Sequence, residues 1–468
     1  MQKHHPEKLR KLSVAEQFDI QQGKEVGLVA QKLFPTGLTV PSESIPENVH
    51  RTTDLLATHQ PLFEAGFLFD HCYARVDILV PQDNGWAILE VKSSNRVKDK
   101  HLHDVSFQRF VIESQGLPVN NCFLVHLNRD YTRNGALDLD QLFIKENITE
   151  VVSPLTKTVP DKVDRLRSLL SSDTPPQELA LLHDRDISSR SHNCLTDGCL
   201  ELPANNVFCL RGRKQIACDL FKQGLTTIAE IPADYPLLPK QQIQRECVLS
   251  GEPFIAPDNI ARFLDRLRYP LYYLDFETFA TAIPLFDGLH PHAKVPFQFS
   301  LHVVEEEGSD PNHVAFLHDS SGDPREPFLQ ALEQVLGQTG SIIVYYKSFE
   351  CNRLKELAEQ FPAYQKWVTN TISRVVDLYV PFKNFWYYHP QQQGSASIKA
   401  VYAAMTDQSY TDLPIRDGRT AHVEFFRITH TDCCPEEIAR VRQHLLEYCK
   451  LDTLAQVEIV QKLRDLTT

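Results

Sequence analysis

The sequence lacks the features that mark a membrane or secreted protein. Nowhere in its 468 residues do eighteen apolar residues follow one another, and residues 1–13 are polar and charged, without the apolar stretch of a signal peptide. The pattern therefore excludes a membrane-spanning helix and argues against secretion. We expect a cytoplasmic protein with no membrane partner.

Positive charge is also in short supply. The chain has 48 Lys and Arg against 61 Asp and Glu, a net charge of −13. This balance argues against a bulk electrostatic nucleic-acid binder but leaves room for a local basic groove. The short basic run of Arg211, Arg213 and Lys214 is a candidate for phosphate contacts, although such a run is usually a solvated face. The acidic balance mildly favours a protein partner that delivers substrate.

Internal repeats and low-complexity segments are absent too, apart from Gln391 to Gln393. Hydrophobic residues make up 42% of the chain and charged residues 23%, which is typical of a globular protein, and the length fits two or three domains. Eleven cysteines would indicate a disulfide framework only in a short extracellular chain. We expect reduced thiols or metal ligands instead.

Local patterns predict an α/β protein in three parts. Residues 1–170 form an α/β unit that opens with the capping-box pair Ser13 and Glu16. Residues 171–268 contain a linker and a mostly helical middle segment, and residues 269–468 form a mixed sheet flanked by helices. The predicted strands cover 73–80, 86–91, 122–127, 271–276, 297–304 and 341–346, and the predicted helices after the first cover 25–33, 104–114, 327–336, 352–361 and 436–463.

A first group of candidate catalytic residues lies on two neighbouring predicted strands. Asp77 interrupts an apolar strand, where a buried carboxylate is costly without a partner such as a cation. Glu90 and Lys92 are two residues apart, so both project from one face of the next strand. Two carboxylates and an ammonium group suit a divalent cation that activates water, with the lysine orienting the nucleophile.

The order of Asp followed by Glu-x-Lys resembles the PD-(D/E)xK nuclease superfamily, particularly its RecB-type branch. The resemblance implies that Gln108 is the glutamine on the helix after the core strands, and that Glu25 is an upstream acidic metal ligand. RecB-type nucleases often carry a four-cysteine iron–sulfur cluster, but no compact second pair follows Cys194 and Cys199. We therefore expect no iron–sulfur cluster.

A second group of candidates is spread over the C-terminal third of the chain. Asp275 and Glu277 project from one face of an apolar strand, and two like charges so close are unfavourable without a cation. Tyr448 and Asp452 are four residues apart, hence on one side of a helix, where a phenol can position water beside a metal-bound acid. Between these pairs, residues 344–350 are predicted as a strand that ends in an aromatic residue and the acid Glu350.

These three elements resemble, in order, the motifs of DEDD exonucleases in the RNase H-like fold, specifically the tyrosine-bearing subgroup. The resemblance implies that Asp275, Glu277, Glu350 and Asp452 hold Mg²⁺ or Mn²⁺ at the scissile phosphate. The middle motif of that class usually ends in Asp rather than Glu. Asp377 is the alternative ligand, unless it caps a turn, and we favour Glu350.

Residues between these motifs carry further hypotheses. Ser397 and Lys399, near a predicted helix start, are candidates for contacting a substrate phosphate, because free N–H groups gather there. Gln298 and His302 are better explained as hydrogen-bonded residues of a sheet than as ligands. The aromatic run over residues 385–389 either stacks on unpaired bases or belongs to a core or lid.

The whole chain resembles a bacterial family that joins a RecB-type nuclease domain to a C-terminal RNase H-like exonuclease domain. Residues 22–27, 34–37 and 394–399 carry this resemblance together with the exonuclease motifs. It implies a metal-dependent nuclease in DNA repair or defence, with DNA favoured over RNA as partner. Two alternatives remain: an RNA 3′–5′ exonuclease that uses only the C-terminal site, and a catalytically silent nucleic-acid-binding scaffold.

Overall fold

We describe the fold from a computed structural model of the chain, which describes residues 11–41, 43–172, 202–212 and 214–467. Helices and mixed sheets alternate throughout these ranges, so the chain is an α/β protein, as predicted. Within these ranges no helix is both long and apolar enough to cross a membrane.

The described residues divide into two compact units. Residues 11–172 and 280–293 form the N-terminal unit, and residues 202–279 and 294–467 form the C-terminal unit. This division differs from the predicted organisation in two places. The middle segment belongs to the C-terminal unit, and a stretch of fourteen residues within the predicted third part belongs to the N-terminal unit.

Polar contacts attach residues 280–293 to the N-terminal unit. The Ala282 N–H donates to Gln22 Oε1 at 2.8 Å. The Arg133 guanidinium donates to the carbonyl oxygens of Pro284 and Leu285 at 2.9 and 2.7 Å. Because Gln22 and Arg133 are more than 140 residues away in sequence, no local pattern announces these contacts.

The N-terminal unit is built on one six-stranded sheet in the order β1-β2-β3-β4-β5-β6. The β1–β2 and β4–β5 pairs are parallel, and the other pairs are antiparallel. Its strands are β1 (Leu38–Thr39), β2 (Leu62–Phe69), β3 (Cys72–Gln82), β4 (Gly85–Lys92), β5 (Val119–Leu127) and β6 (Phe143–Asn147), and its helices are α1 (Val14–Gln31), α2 (Ile45–Leu56), α3 (Asp99–Glu113), α4 (Leu139–Leu142), α5 (Thr149–Thr156) and α6 (Val159–Ser171).

A single helix, α1, replaces the two helices predicted at the start of the chain. Ser13 and Glu16 form the expected capping box. The prediction of a second start near residue 25 was wrong, since the helix continues through Gly23. Glycine inside a helix costs about 1 kcal/mol. Burial of Val26 and Ala30 in the core offsets that cost.

The pairing of β2 with β3 is interrupted at Glu64 and Asp77. Phe63 and Ala65 flank Glu64 and would share one face of a regular strand, yet they pack in different core clusters. Glu64 has a φ of 59°, and it is skipped in the ladder at the position opposite Asp77. The backbone conformation of Glu64 therefore breaks the strict alternation of faces along β2, while the register of the two strands is the same on both sides of it.

The C-terminal unit contains a five-stranded sheet in the order β10-β9-β8-β11-β12 and a small pair formed by β7 and β13. The β11 strand runs parallel to β8 and β12, and β9 is antiparallel to β8 and β10. Its elements are α7 (Lys214–Lys222), α8 (Pro239–Ser250), β7 (Phe254–Ile255), α9 (Pro257–Leu264), β8 (Leu271–Phe279), β9 (Val295–Val304), β10 (Asn312–Leu317), α10 (Arg325–Val335), β11 (Ser341–Val344), α11 (Ser348–Gln360), α12 (Gln365–Ser373), β12 (Val375–Asp377), α13 (Val380–Lys383), β13 (Tyr387–Tyr388), α14 (Ile398–Thr406), α15 (Gly418–His430) and α16 (Pro435–Asp465).

Polar side chains join the long helix α16 to the central strands of this sheet. The Gln298 amide donates to the Leu445 carbonyl oxygen at 2.8 Å. His302 Nδ1 lies 2.8 Å from Thr453 Oγ1, which is also 2.7 Å from Ser300 Oγ. Gln298 and His302 are therefore hydrogen-bonded sheet residues, as predicted. These bonds set the position of α16 along β8 and β9.

The aromatic run at residues 385–389 belongs to the interior of the C-terminal unit. Phe385, Tyr387 and Tyr388 are all buried, and the Phe385 and Tyr388 rings stack with centroids 4.5 Å apart. Of the two predicted roles, the core role is therefore correct for these rings. Base stacking by them is excluded because their faces are covered.

The nine cysteines within the described ranges are free thiols. Burial raises the pKa of the Cys209 thiol. Cys194 and Cys199 lie outside the described residues, as does Arg213. The expectation about an iron–sulfur cluster therefore stays a prediction.

Candidate functional site

Two carboxylates of the C-terminal unit come from its central strand, β8. Asp275 and Glu277 are two residues apart, and Phe276 between them packs into the hydrophobic core on the other face. The pairing of β8 with β9 is irregular directly after Glu277. The β8 strand is the middle one of five, and its pairing with β11 ends at Tyr273, so both acids lie beyond the end of that pairing.

Helix α16 supplies the next two residues of this site. Tyr448 and Asp452 are one turn apart and both buried. The Tyr410 hydroxyl donates to Asp452 Oδ1 at 2.8 Å, and the Cys449 thiol donates to Asp275 Oδ2 at 3.7 Å. The four-residue spacing in the sequence indicated the pair of Tyr448 and Asp452. Nothing in the sequence indicated Tyr410, which lies 42 residues from Asp452.

Glu350 completes the group, although its local structure differs from the prediction. It lies in the first turn of α11 rather than at the end of a strand, because β11 ends at Val344. Glu350 is 2% exposed, and its Oε2 atom has no hydrogen-bond partner among the described residues. Asp377 instead accepts the N–H groups of Tyr346 and Tyr379, both at 3.0 Å.

The four acids Asp275, Glu277, Glu350 and Asp452, together with Tyr448, line one cavity with a volume of about 240 Å³. Four carboxylates, three tyrosines and one lysine contribute to its wall. Lys399 is among them, whereas Ser397 caps α14 by accepting the Ala400 N–H at 3.4 Å. The lining residues are Asp275, Phe276, Glu277, Tyr345, Tyr346, Phe349, Glu350, Ile398, Lys399, Tyr448 and Asp452.

Burial raises the pKa of every carboxyl group in the cavity. Burial raises the pKa of Glu350 to about 8. It raises the pKa of Asp452 to about 6, although Tyr410, Lys399 and Tyr448 favour the anion. The pKa values of Asp275 and Glu277 lie well above the usual range because of burial and the Asp452 charge.

Such a group fits a divalent cation. Buried carboxylates within reach of one another are stable as anions only beside compensating positive charge. Over the described part of the chain, Asp275, Glu277 and Cys449 are the residues that bring three ligand atoms within 4.8 Å of one another. Burial keeps the pKa of the Cys449 thiol well above its usual range, so it remains a donor and oxygen ligands dominate. The unpartnered Glu350 Oε2 is a further oxygen for such an ion.

Lys399 and Tyr448 add a charge and a donor to the same wall. The Lys399 ammonium lies 5.1 Å from the ring centroids of both Tyr410 and Tyr448 and donates to the Arg416 carbonyl oxygen. Burial and the neighbouring carboxylates hold the pKa of Tyr448 far above its ordinary value. Its hydroxyl therefore stays protonated at neutral pH and able to donate.

The first predicted group comes together in the N-terminal unit. The Val91 N–H donates to Asp77 Oδ2 at 2.7 Å, which links β4 to β3. The Lys92 ammonium donates to Glu90 Oε1 at 2.5 Å and to Asp104 Oδ2 at 2.8 Å. Burial raises the pKa of Asp77 to about 6, and burial together with Asp77 raises that of Glu90. The pKa of Lys92 is also raised, because Glu90 and Asp104 outweigh its burial.

Gln108 joins this group, whereas Glu25 has another partner. The Gln108 amide donates to Glu90 Oε2 at 2.8 Å, and its Oε1 atom is buried without a partner in the described ranges. Glu25 is exposed on α1 and accepts the Gln22 amide at 3.2 Å. No hydrogen bond between described residues connects it to Asp77 or Glu90.

Two acids near this group were missed from the sequence. Asp104 precedes Gln108 by four residues on α3, so helical spacing alone indicates that they share a face. Glu64 occupies the rung opposite Asp77 and helps to raise the pKa of that carboxyl. No local pattern indicates Glu64, because its position depends on the irregular pairing of β2 with β3.

The raised pKa values predict that the metal-free protein loses stability as the pH rises above neutrality. Unfolded carboxyl groups titrate near pH 4, so the folded state holds the extra proton of Glu350 up to about pH 8. That stabilising effect is complete below about pH 4 and is lost as the pH rises through the folded value. Below about pH 6.5, buried histidines such as His302 have the opposite effect, since burial lowers its pKa to about 4.

The window from about pH 6.5 to 8 therefore isolates the carboxyl groups. In EDTA the melting temperature should fall over this range, and the increase produced by Mg²⁺ or Mn²⁺ should grow, because cations bind the ionised groups. A Glu350→Gln variant should show a flatter profile in EDTA. Thermal melts across this range check the prediction, and a wild-type profile that rises with pH would contradict it.

Comparisons with known proteins identify a domain family and two relatives. Residues 272–397, which include Asp275, Glu277 and Glu350, match the family described as Domain of unknown function (DUF2779). The chain is 30% identical over 224 residues to the "Uncharacterized protein MG366 homolog" of Mycoplasma pneumoniae. It is 28% identical over 224 residues to the "Uncharacterized protein MG366" of Mycoplasma genitalium. Each match covers 43% of this chain and 33% of the relative, so the matched part spans about a third of their length. No solved structure matches the chain significantly.

Proposed function

We propose that the chain is a metal-dependent nuclease that hydrolyses phosphodiester bonds, with a 3′–5′ exonuclease site in the C-terminal unit. The observation that carries this proposal is the cavity lined by four carboxylates with raised pKa values, one of which, Glu350, has an Oε2 atom without a hydrogen-bond partner among the described residues. A buried group of like charges is costly unless a cation lies beside it. Groups of this kind are concentrated at functional sites.

The residues divide into holders of the cation and residues that act on the substrate. Asp275, Glu277, Glu350 and Asp452 would hold Mg²⁺ or Mn²⁺, and such ions acidify water and neutralise the charge of a phosphate. The protonated Tyr448 hydroxyl is the donor that orients the attacking water or a phosphate oxygen. The adjacent Lys399 ammonium adds positive charge for the phosphate.

The N-terminal unit would contain a second hydrolytic site of the PD-(D/E)xK type. Asp77 and Glu90 would hold its cation, and Lys92 would orient the attacking water. Gln108 holds Glu90 in place through the 2.8 Å bond from its amide. The resemblance to RecB-type nucleases favours DNA as the substrate of this site and of the whole protein.

A second candidate is an RNA 3′–5′ exonuclease in which only the C-terminal site works. Two observations favour it over the two-site proposal. The Lys92 ammonium is bound by two carboxylates, and the exposed Glu25 accepts the amide of the buried Gln22. In a working PD-(D/E)xK site, Lys92 would orient water and Glu25 would bind the metal. Here both side chains have other partners.

Cleavage assays with a Glu90→Ala/Lys92→Ala variant separate these candidates. End-labelled single- and double-stranded DNA and RNA are incubated with Mg²⁺, Mn²⁺ or EDTA. With two working sites, this variant should lose internal cleavage about a hundredfold or more and retain trimming of 3′ ends. Lys100→Ala, an exposed lysine on α3, is the matched control.

Other outcomes decide against one candidate or both. If Glu90→Ala/Lys92→Ala matches the wild type on every substrate and RNA is degraded as well as DNA, the C-terminal site alone works. If the wild-type protein cleaves no substrate with either metal, the nuclease proposal fails. Retained binding of nucleic acid would then leave the scaffold alternative.

A further inference from the structure

Two cations of the C-terminal unit, Arg211 and Lys240, lie near the Phe385 ring, and the charge of Lys383 acts on Lys240. The Arg211 guanidinium carbon is 6.0 Å from the ring centroid, and Lys240 Nζ is 5.6 Å from it. Lys240 Nζ also donates to the Lys383 carbonyl oxygen at 2.7 Å. Lys383 is exposed, and its ammonium lies 6.0 Å from the Tyr379 ring centroid. Residues far apart in the chain thus form one basic surface.

Electrostatics around Lys240 indicate that this surface is prepared for an anion. Burial lowers the pKa of Lys240, and the charges of Arg211 and Lys383 lower it further. The chain as a whole carries a net charge of −13. Cations that repel one another in such an acidic chain are stabilised when a negatively charged ligand binds beside them.

Aromatic side chains connect this basic surface to the cavity of the candidate exonuclease site. The Tyr379 ring centroid lies 5.8 Å from that of Tyr345 and 5.6 Å from that of Tyr346, and both tyrosines line the cavity. Tyr346 is 55% exposed, and its backbone has a φ of 80°, held by the bond from its N–H to Asp377. An exposed ring at the mouth of a cavity offers a face on which a base can stack.

We propose that these residues form a track that binds single-stranded nucleic acid as it leads away from the cavity. The track consists of Arg211, Lys240 and Lys383, which bind phosphates, and of Tyr346 and Tyr379, which stack on bases. Cations beside aromatic rings match a ligand that carries both phosphates and flat apolar bases. This proposal rests on the proposed function, because the end of the strand would occupy the cavity.

The track predicts that affinity depends on the length of the strand. A trinucleotide whose end enters the cavity reaches little of the track, whereas a twelve-nucleotide strand covers it. Binding of 5′-fluorescein-labelled (dT)₃, (dT)₁₂ and (rU)₁₂ to the full chain is measured by fluorescence anisotropy in EDTA. Because no metal is present, binding is measured even if the protein hydrolyses nothing.

A Lys240→Gln/Lys383→Gln variant tests the track directly. It should bind (dT)₁₂ about tenfold more weakly, with a loss at least several times larger than for (dT)₃. The slope of log Kd against log salt should decrease by about 1.4. The variant loses two phosphate contacts, and each contact with a single strand contributes about 0.7 to that slope. Lys355→Gln/Lys366→Gln, two exposed lysines on α11 and α12, makes the same charge change elsewhere and should match the wild type. Thermal melts confirm that both variants fold.

Tyr346→Ala tests the aromatic part of the track and should also weaken (dT)₁₂ binding, about tenfold, with no change in the salt slope. The proposal is overturned if both lysine variants weaken binding equally, or if (dT)₃ and (dT)₁₂ lose the same affinity. It is also overturned if a twelve-residue glutamate peptide displaces (dT)₁₂ as well as unlabelled (dT)₁₂ does, since the surface then selects charge alone. Absence of cleavage with intact, length-dependent binding would refute the proposed function and leave the track in place.

Discussion

Replacing Asp275 by Asn and Glu277 by Gln is expected to abolish metal-dependent hydrolysis while making the metal-free protein more stable. Trimming of 3′ ends should fall about a thousandfold or more, because the amides bind a divalent cation poorly. Stability should rise because two of the buried groups that repel Asp452 become neutral. For a unit of this size, each 1 kcal/mol gained raises the melting temperature by about 2–4 °C.

This opposite movement of activity and stability distinguishes a catalytic site from a structural one. End-labelled substrates report the activity at pH 7.5, and thermal melts in EDTA and in Mn²⁺ report the stability. The increase in melting temperature that Mn²⁺ produces in the wild type should disappear in the Asp275→Asn/Glu277→Gln variant. A variant that is less stable in EDTA and still responds to Mn²⁺ would count against the metal site.

Asp377→Asn is the matched control for this experiment. It removes one carboxylate from the same unit, at the position that the sequence left as an alternative to Glu350. Because Asp377 accepts two backbone N–H groups and does not line the cavity, activity should stay within a few-fold of the wild type. Glu350→Gln should instead lose activity about a hundredfold or more. The reverse result would identify Asp377 as the ligand.

Gly394→Ala is expected to destabilise the C-terminal unit strongly, by about 2–5 kcal/mol. Gly394 has a φ of 75°, and an added Cβ would lie 1.8 Å from the Cys209 carbonyl oxygen. The backbone conformation alone costs an alanine about 1–2 kcal/mol, and overpacking a rigid neighbour adds about 1–3 kcal/mol or more. Thermal melts should show a decrease on the order of 10 °C, or a loss of soluble protein.

Gly251→Ala separates the backbone cost from the steric cost. Gly251 ends α8 with a φ of 78°, almost the same conformation, but nothing lies within 4 Å of its added Cβ. This variant should lose only about 1 kcal/mol. Equal losses in both variants would show that the close approach of Gly394 to Cys209 contributes nothing.

Much of both candidate sites was predictable from the sequence because their residues are close together in it. The two-residue spacing of Asp275 and Glu277 and of Glu90 and Lys92 determines which face each strand presents. The four-residue spacing of Tyr448 and Asp452 does the same for a helix. Periodicity is a property of the backbone, so it appears in any sequence that forms the element.

Other residues were out of reach because their places depend on contacts between distant segments. Tyr410 reaches Asp452 from outside α16, and Glu64 meets Asp77 through an irregular rung of the sheet. Glu350 was expected at a strand end, yet the early end of β11 puts it in a helix. Packing between distant segments decides how strands pair and where strands and helices end. The spacing of residues along the chain does not predict such packing.

The sequence by itself therefore determined the α/β class, most strands and helices, and the pairs of acids that each element carries. Only the tertiary structure decided that acids from β8, α11 and α16 line one cavity. It also decided that Asp377 accepts backbone N–H groups, and that Arg211 and Lys240 of the middle segment lie near Phe385. The physical reason is the range of the forces involved. Backbone geometry acts over a few residues, whereas burial brings together side chains as distant in the chain as Asp275 and Asp452.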